Sequence, residues 1–181
     1  AVFTGHAQGD ITINLAEADG VARHRMRVDM GEQYRTLLGH FRHEIGHFYW
    51  DLLVKPDDAR LARFREVFGD PDLSYQEALD KHYARDPEDQ SWRRNFISAY
   101  ASMHPWEDWA ETFAHYLHIL DTLETARDWD LINFGKYAGL TLPQDEGVCD
   151  PQRLIDCWGE FSVKLNALNR SMGLADAYPF V

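Results

Sequence analysis

The sequence is poor in sulfur, poor in positive charge and free of long apolar runs, and each shortage removes a class of protein. Its two cysteines, Cys149 and Cys157, fit neither a four-cysteine zinc site nor a small disulfide scaffold. The expectation is two unmodified thiols, with a disulfide across their short loop as the alternative. Lys and Arg number 18 against 30 Asp and Glu, a net charge of −12. No block of Lys or Arg offers the surface that phosphate neutralisation requires, so nucleic acid is excluded as a partner. No stretch reaches the ~18 apolar residues of a membrane span, and no signal-peptide regions are visible. The expectation is a cytoplasmic protein without a membrane partner. Internal repeats and low-complexity linkers are absent too.

What remains is a chain of 181 residues, 45% apolar and 13% aromatic. That composition argues against disorder and suits one domain, 1–181, around one core. The aromatic residues gather at Phe48, Tyr49, Trp50, Trp106, Trp109, Phe113 and Tyr116. Along the chain, 2–19 reads as extended: Ile11, Ile13 and Leu15 alternate with polar residues, Gly5 and Gly9 bracket a preceding turn, and Gly20 closes the region. From about Gly31 the apolar period becomes helical through Tyr34, Leu37, Phe41, Ile45 and Phe48, until Pro56 stops it. A short helix over 61–68 is closed by Gly69. Ser74 and Glu77 form a capping-box pattern, and a further helix is predicted over 89–102. His104-Pro105 starts a long helix, 128–148 is loop-like, and Asp150-Pro151 opens a last helix that Gly173 closes. The fold class is α+β, mainly helical, with a small sheet near the start.

The string His43-Glu44-Ile45-Gly46-His47 carries chemistry. Two histidines four apart on a helix stack on one face, and their neutral imidazoles can share one Zn²⁺. Glu44 sits at the edge of that face, where it reaches a water without ligating the metal, the position of a general base. A catalytic zinc takes three protein ligands and leaves a fourth position open. Trp50 and Leu53 stand where a third-histidine pattern needs Gly and His. Asp51, on the same straight helix, is a poor third ligand. Glu107 is the better candidate, with Glu111 one turn on to accept the other ring N–H of a ligand histidine and fix its tautomer. The competing reading of these acids, complementation of a helix dipole, is weakened by their Trp and Phe neighbours. His40 is expected to be a supporting or structural residue, as are His115 and His118.

HEIGH followed by E-x-x-A-E resembles the gluzincin metallopeptidases, and the spacing in the second helix resembles the anthrax lethal factor-like branch. In that branch a Tyr seven residues before the ligand Glu stabilises the oxyanion, which points to Tyr100. The strings GHFRHEIGHFYW, SAYASMHPWEDWAETFAHYLHILDTLETA and LNALNRSMGLADAYPFV are similar to a bacterial family of zinc-binding metallopeptidases, over nearly the whole chain. Members often carry an N-terminal zinc ribbon, and the Cys pairs of one are missing here. The resemblance implies a zincin-like domain with a small sheet over the HExxH helix. One Zn²⁺ per chain would be held by His43, His47 and Glu107, with Glu44 as base. His104 is expected to cap the ligand helix or to donate to the oxyanion, in a supporting shell with Glu111. In zincin folds an edge strand pairs with extended substrate. The segment 9–14 is the candidate, with Ile11 and Ile13 as substrate-binding residues, and an ordinary sheet strand is the other reading. The expected partner is a peptide or protein substrate. A hydrolase of another amide or ester, a gated protease and a zinc-stabilised binding module remain open. Asn166, Asn169 and Arg170 are left between helix capping and a network under the metal site.

Overall fold

The structure is a computed structural model, and it describes residues 4–7, 9–29, 36–86, 88–137, 140–142 and 149–180. Gly31 and Tyr34, where the helical period is expected to begin, and residues 138–139 and 143–148 of the expected loop lie outside these residues. The described residues are mostly helical, with one two-stranded sheet. The chain divides into two compact units, Ala1–His115 and Tyr116–Val181.

The first unit opens with an antiparallel hairpin, β1 (Gly5–Ala7) and β2 (Asp10–Thr12), in which His6 stands opposite Ile11. The turn passes through Gly9 at φ +91, a left-handed conformation that glycine adopts at least cost. The strand expected to run on through Ile13 and Leu15 stops at Thr12. Asn14 turns its side chain back to accept from Ala16 N–H at 3.0 Å. That cap starts a 3₁₀ turn, Leu15–Ala18, which leaves Leu15 83% exposed. A local side-chain bond thus overrides the alternating pattern. Gly20 does not close the region but begins α1 (Gly20–Asp29), entered through Asp19 Oδ1 on Ala22 N–H at 2.8 Å.

Helix α2 (Leu37–Tyr49) carries the HEIGH string and is capped by Thr36, whose Oγ1 accepts from Gly39 N–H at 2.9 Å, a bond of about 1 kcal/mol. It widens into a π-helical turn, Trp50–Val54, before Pro56. Gly46 C=O receives both Trp50 N–H and Trp109 Nε1–H, and an inserted donor of this kind loosens the helical ladder. Next come α3 (Asp58–Phe68), ended by Gly69 at φ +104, and α4 (Tyr75–Tyr83), capped by Ser74 Oγ on Glu77 N–H.

The helix predicted over 89–102 is not formed. Two 3₁₀ turns, Ser91–Arg94 and Ala101–Met103, lie in otherwise irregular chain. Asp89 accepts from Ser91 N–H at 2.8 Å and Ser98 Oγ from Ala101 N–H at 2.9 Å. These short side chains compete with helical bonding for the backbone. Helix α5 (Pro105–Asp128) then begins at Pro105 as the sequence indicates.

The core of the first unit is Trp50, Val54 and Phe64, with Leu61, Phe68, Trp106 and Trp109 packed against it. Phe64 is buried, and truncating such a ring costs about 3–5 kcal/mol. Helices α2 and α5 approach closely at Gly46. A Cβ there would stand 3.1 Å from Ala110 Cα and 3.3 Å from Phe113 Cβ.

In the second unit the end of α5 and α6 (Pro151–Ser171) build a core that includes Leu123, Leu142, Cys157, Trp158 and Tyr178. Asp150 caps α6 and Gly173, at φ +76, follows its end. Cys149 and Cys157 are free thiols, as expected. Asn166, Asn169 and Arg170 form a latch for the chain's last residues. Asn166 exchanges both its hydrogen bonds with the Tyr178 backbone, at 2.7 and 2.9 Å. Asn169 donates to Ala175 C=O, and Arg170 grips Asp176 with two nitrogens.

Candidate metal centre

The close approach of Gly46 to Ala110 sets the site. One turn before each contact residue stand His43 on α2 and Glu107 on α5, and His47 follows Gly46 directly. His43 Nε2 lies 3.0 Å from Glu107 Oε2, His47 Nε2 lies 3.3 Å from the same oxygen, and the two nitrogens are 3.1 Å apart. All three residues are buried, and among the described residues they are the one group of His, Cys, Asp and Glu atoms close enough to share an ion.

The surroundings decide what these atoms present to one another. Glu111 Oε1 lies 2.8 Å from His43 Nδ1 and holds the ring proton there, while Glu111 Oε2 accepts from Ser98 Oγ at 2.7 Å. In the neutral imidazole this leaves the Nε2 of His43 as the lone pair, able to take a proton or a metal ion. His47 instead lies against the Trp106 ring, tilted by 34° with centroids 3.7 Å apart. Tyr75 Oη donates to Glu107 Oε1 at 2.9 Å, while Oε2 faces the Nε2 atoms of His43 and His47. Two imidazole nitrogens and a carboxylate oxygen thus converge in a buried space, an arrangement that a cation between them would stabilise. The set is also near the right size: tetrahedral zinc with bonds of about 2.0–2.2 Å places its ligands about 3.3–3.6 Å apart, slightly wider than the 3.0–3.3 Å found here.

The protonation equilibria lead to the same point. Burial acts to keep His43 neutral, yet hydrogen bonds and charge from Glu107 and Glu111 prevail and raise its pKa to about 10. Burial keeps His47 below its ordinary value despite Glu107. Glu107 is buried, which opposes ionisation, but His43 and His47 hold it well below the usual carboxylate range. A site that binds a proton this firmly attracts positive charge, and a metal ion can take the proton's place.

Glu44 is buried on α2, with Oε1 3.4 Å from His40 Nε2. Tyr100 has its ring 6.0 Å from that of His43 and its hydroxyl 3.4 Å from Tyr75 Oη. Burial first, then the charge of Glu107, pushes the pKa of both phenols upward, so both keep their protons as donors. His104 is placed as a cap: its Nδ1 accepts from Trp106 N–H at 3.1 Å and its Nε2 faces Leu73 C=O at 3.2 Å. Both nitrogens meet backbone, at the start of α5 and before α4. Its ring also meets Tyr75 edge-on at 5.5 Å. Asp51 turns away to Lys55, at 3.1 Å. His115 is buried one turn beyond Glu111. Ile11 and Ile13 are half-buried, Ile11 in β2 and Ile13 just past it. It is β1 that meets α2, through His6 against Phe48 at 6.1 Å.

Tyr75 and Ser98 are absent from the sequence reading. Tyr75 stands 32 residues from Glu107 and inside a capping box, so its local pattern has a sufficient structural meaning. Ser98 falls in the segment assigned to a helix that does not form. Beside the centre lies a cavity of about 420 Å³, bounded by His6, Trp50, Asp51, Tyr75, His104 and Trp106.

Comparison with known proteins adds three findings. No solved structure matches the chain. Uncharacterized proteins of Mycobacterium tuberculosis and Mycobacterium bovis are each 51% identical to it over 183 residues, covering 99% of this chain and 52% of theirs. The chain thus spans about half the length of these curated relatives. Along residues 1–181 it matches the family described as "putative zinc-binding metallo-peptidase", and to that family the chain belongs.

Proposed function

We propose that this protein is a zinc-dependent peptidase of the gluzincin type, with a zincin-like catalytic domain. The observation that carries the reading is the convergence of His43 Nε2, His47 Nε2 and Glu107 Oε2 within 3.0–3.3 Å of one another. Family membership supports it. The three residues hold one Zn²⁺, which when bound polarises a peptide carbonyl and makes a water molecule more acidic. Glu44 takes the proton of the attacking water and returns it to the leaving amine. Tyr100 keeps its phenolic proton and donates to the oxyanion as charge develops. Tyr75, already committed to Glu107, holds that carboxylate with Oε2 toward the histidines. The substrate is a peptide or protein segment in extended form, laid along the hairpin beside Ile11 and Ile13. The 420 Å³ cavity next to the centre gives room for one of its side chains.

Digestion of a peptide library by zinc-loaded protein, read by mass spectrometry, tests the proposal, with Glu44→Gln as control. Cleavage by the wild type alone supports it and yields the subsite preference. Equal cleavage by both proteins contradicts the role of Glu44. Absence of cleavage by either, with zinc bound, contradicts the peptidase reading.

A further inference from the structure

Glu17 is a carboxylate only 1% exposed, in a short 3₁₀ turn near the start of the chain. Burying a carboxylate is costly unless donors compensate it. Thr4 Oγ1 donates to its Oε1 at 2.8 Å, and His40 Nδ1 lies 2.8 Å from its Oε2. The same Thr4 oxygen accepts from Asn14 N–H at 2.9 Å, which ties the turn to the segment before β1. The other ring nitrogen of His40 faces Glu44 Oε1 at 3.4 Å, one helical turn along α2. A single imidazole therefore bridges two buried carboxylates, one of them the proposed base.

We infer that Glu17 and His40 are positioning residues for Glu44: Glu17 fixes the His40 ring, and His40 fixes the Glu44 carboxylate toward the substrate water. This inference rests on the peptidase reading for its catalytic meaning. An ionised carboxylate has no donor of its own and rotates freely unless something holds it. A ring oriented by a buried acid supplies that hold, the same logic by which a third group orients the base in other catalytic sets. Local propensity assigns Leu15–Ala18 no role beyond a turn, yet the turn carries Glu17 to His40. The hairpin and turn are thus part of the site's support.

The test uses His40→Phe, His40→Gln and Glu17→Gln in the zinc-loaded protein, each alone and in a Glu44→Gln background. His40→Phe is expected to keep one zinc per chain and an unchanged KM while kcat falls roughly 10- to 100-fold, the range typical of outer-shell partners. His40→Gln retains an N–H donor and is expected to recover part of the loss. In the Glu44→Gln background none of the three lowers the residual rate further, because positioning has no effect without the base. A second readout needs no turnover. The ¹⁵N resonance of His40 Nε2 is expected to move in Glu44→Gln, and that of Nδ1 in Glu17→Gln. Full kcat in His40→Phe, losses that multiply with Glu44→Gln, or a His40 Nε2 resonance unmoved by Glu44→Gln would each overturn the inference. If the wild type cleaves nothing, the peptidase reading fails separately, and the resonance shifts alone decide whether the bridge exists. Should His40→Phe not fold, His40→Gln and Glu17→Gln carry the test.

Discussion

Substituting Gly46 by Ala adds one methyl group at the point where α2 meets α5. The new Cβ stands 3.1 Å from Ala110 Cα, 3.3 Å from Ala110 O and 3.3 Å from Phe113 Cβ. Comfortable carbon contacts lie near 3.5–4.0 Å, and two of these three neighbours are backbone atoms of a buried helix turn. The helices must separate by about half an ångström. Overpacking of this kind costs about 1–3 kcal/mol, against about 1 kcal/mol gained from the helix propensity of Ala over Gly. The net change is a loss of about 0–2 kcal/mol. Gly159 supplies the control, since a Cβ there meets nothing within 4 Å, and Gly159→Ala in α6 is expected to gain about 0.5–1 kcal/mol. Urea unfolding of the metal-free proteins reads both. The larger consequence concerns the metal. His43 and His47 stand on one side of the contact and Glu107 on the other, so separation spreads the ligand set. Zinc affinity in Gly46→Ala is expected to fall on the order of tenfold, the loss that disturbed support of a metal site produces, measured by competition with a chromophoric chelator. Equal zinc affinity in Gly46→Ala and wild type would refute the reasoning, as would a stabilisation matching that of Gly159→Ala.

Other outcomes follow from the same geometry. Tyr75→Phe removes the donor to Glu107 Oε1 and is expected to cost about 1.5–3 kcal/mol, as bonds to charged groups do, with weaker zinc binding in the chelator assay. Asn166→Ala removes the side chain that accepts from Tyr178 N–H and donates to Tyr178 C=O. Its unfolding free energy is expected to fall by about 2–4 kcal/mol, with the zinc site unaffected. Acid sensitivity has contributors outside the metal centre, Asp89 and Glu160 among them. Asp89 is held down to about 2 by Ser91 and Arg85, and Glu160 to about 2 by Lys136, Lys164 and Tyr137. Both folded-state values lie below the ordinary ones, so their contribution is complete above about pH 4–4.5 and is lost as pH falls toward 2. Urea midpoints across that window are expected to decline less steeply in Asp89→Asn and Glu160→Gln than in wild type.

Much of the fold is readable in the sequence where local chemistry and long-range packing agree. The caps of α4 and α6, the start of α5 at Pro105 and the glycine ends at Gly69 and Gly173 are each written in one or two residues. The errors fall where side chains of a few atoms redirect the backbone. Asn14 ends an apparently alternating strand, and Asp89, Ser91 and Ser98 hold turns where periodicity suggested a helix. At the site, the i, i+4 spacings of His43 with His47 and of Glu107 with Glu111 make one face of each helix visible in advance. Nothing in those spacings says that Gly46 is the contact that brings the faces together. The role of Tyr75 is hidden because its partner is 32 residues away, and that of Glu17 because its partner His40 is 23 residues away. Buried polar partners at long sequence separation leave no periodic trace.

The central claim is that His43, His47 and Glu107 hold a zinc ion whose chemistry Glu44 completes. Zinc content and peptide hydrolysis measured together on wild type, Glu44→Gln, His43→Ala and Glu107→Ala test it most directly. The account predicts one zinc per chain in wild type and Glu44→Gln, loss of stoichiometric zinc in the other two, and hydrolysis by wild type alone. Stoichiometric zinc in Glu107→Ala, or hydrolysis by Glu44→Gln at the wild-type rate, would contradict it.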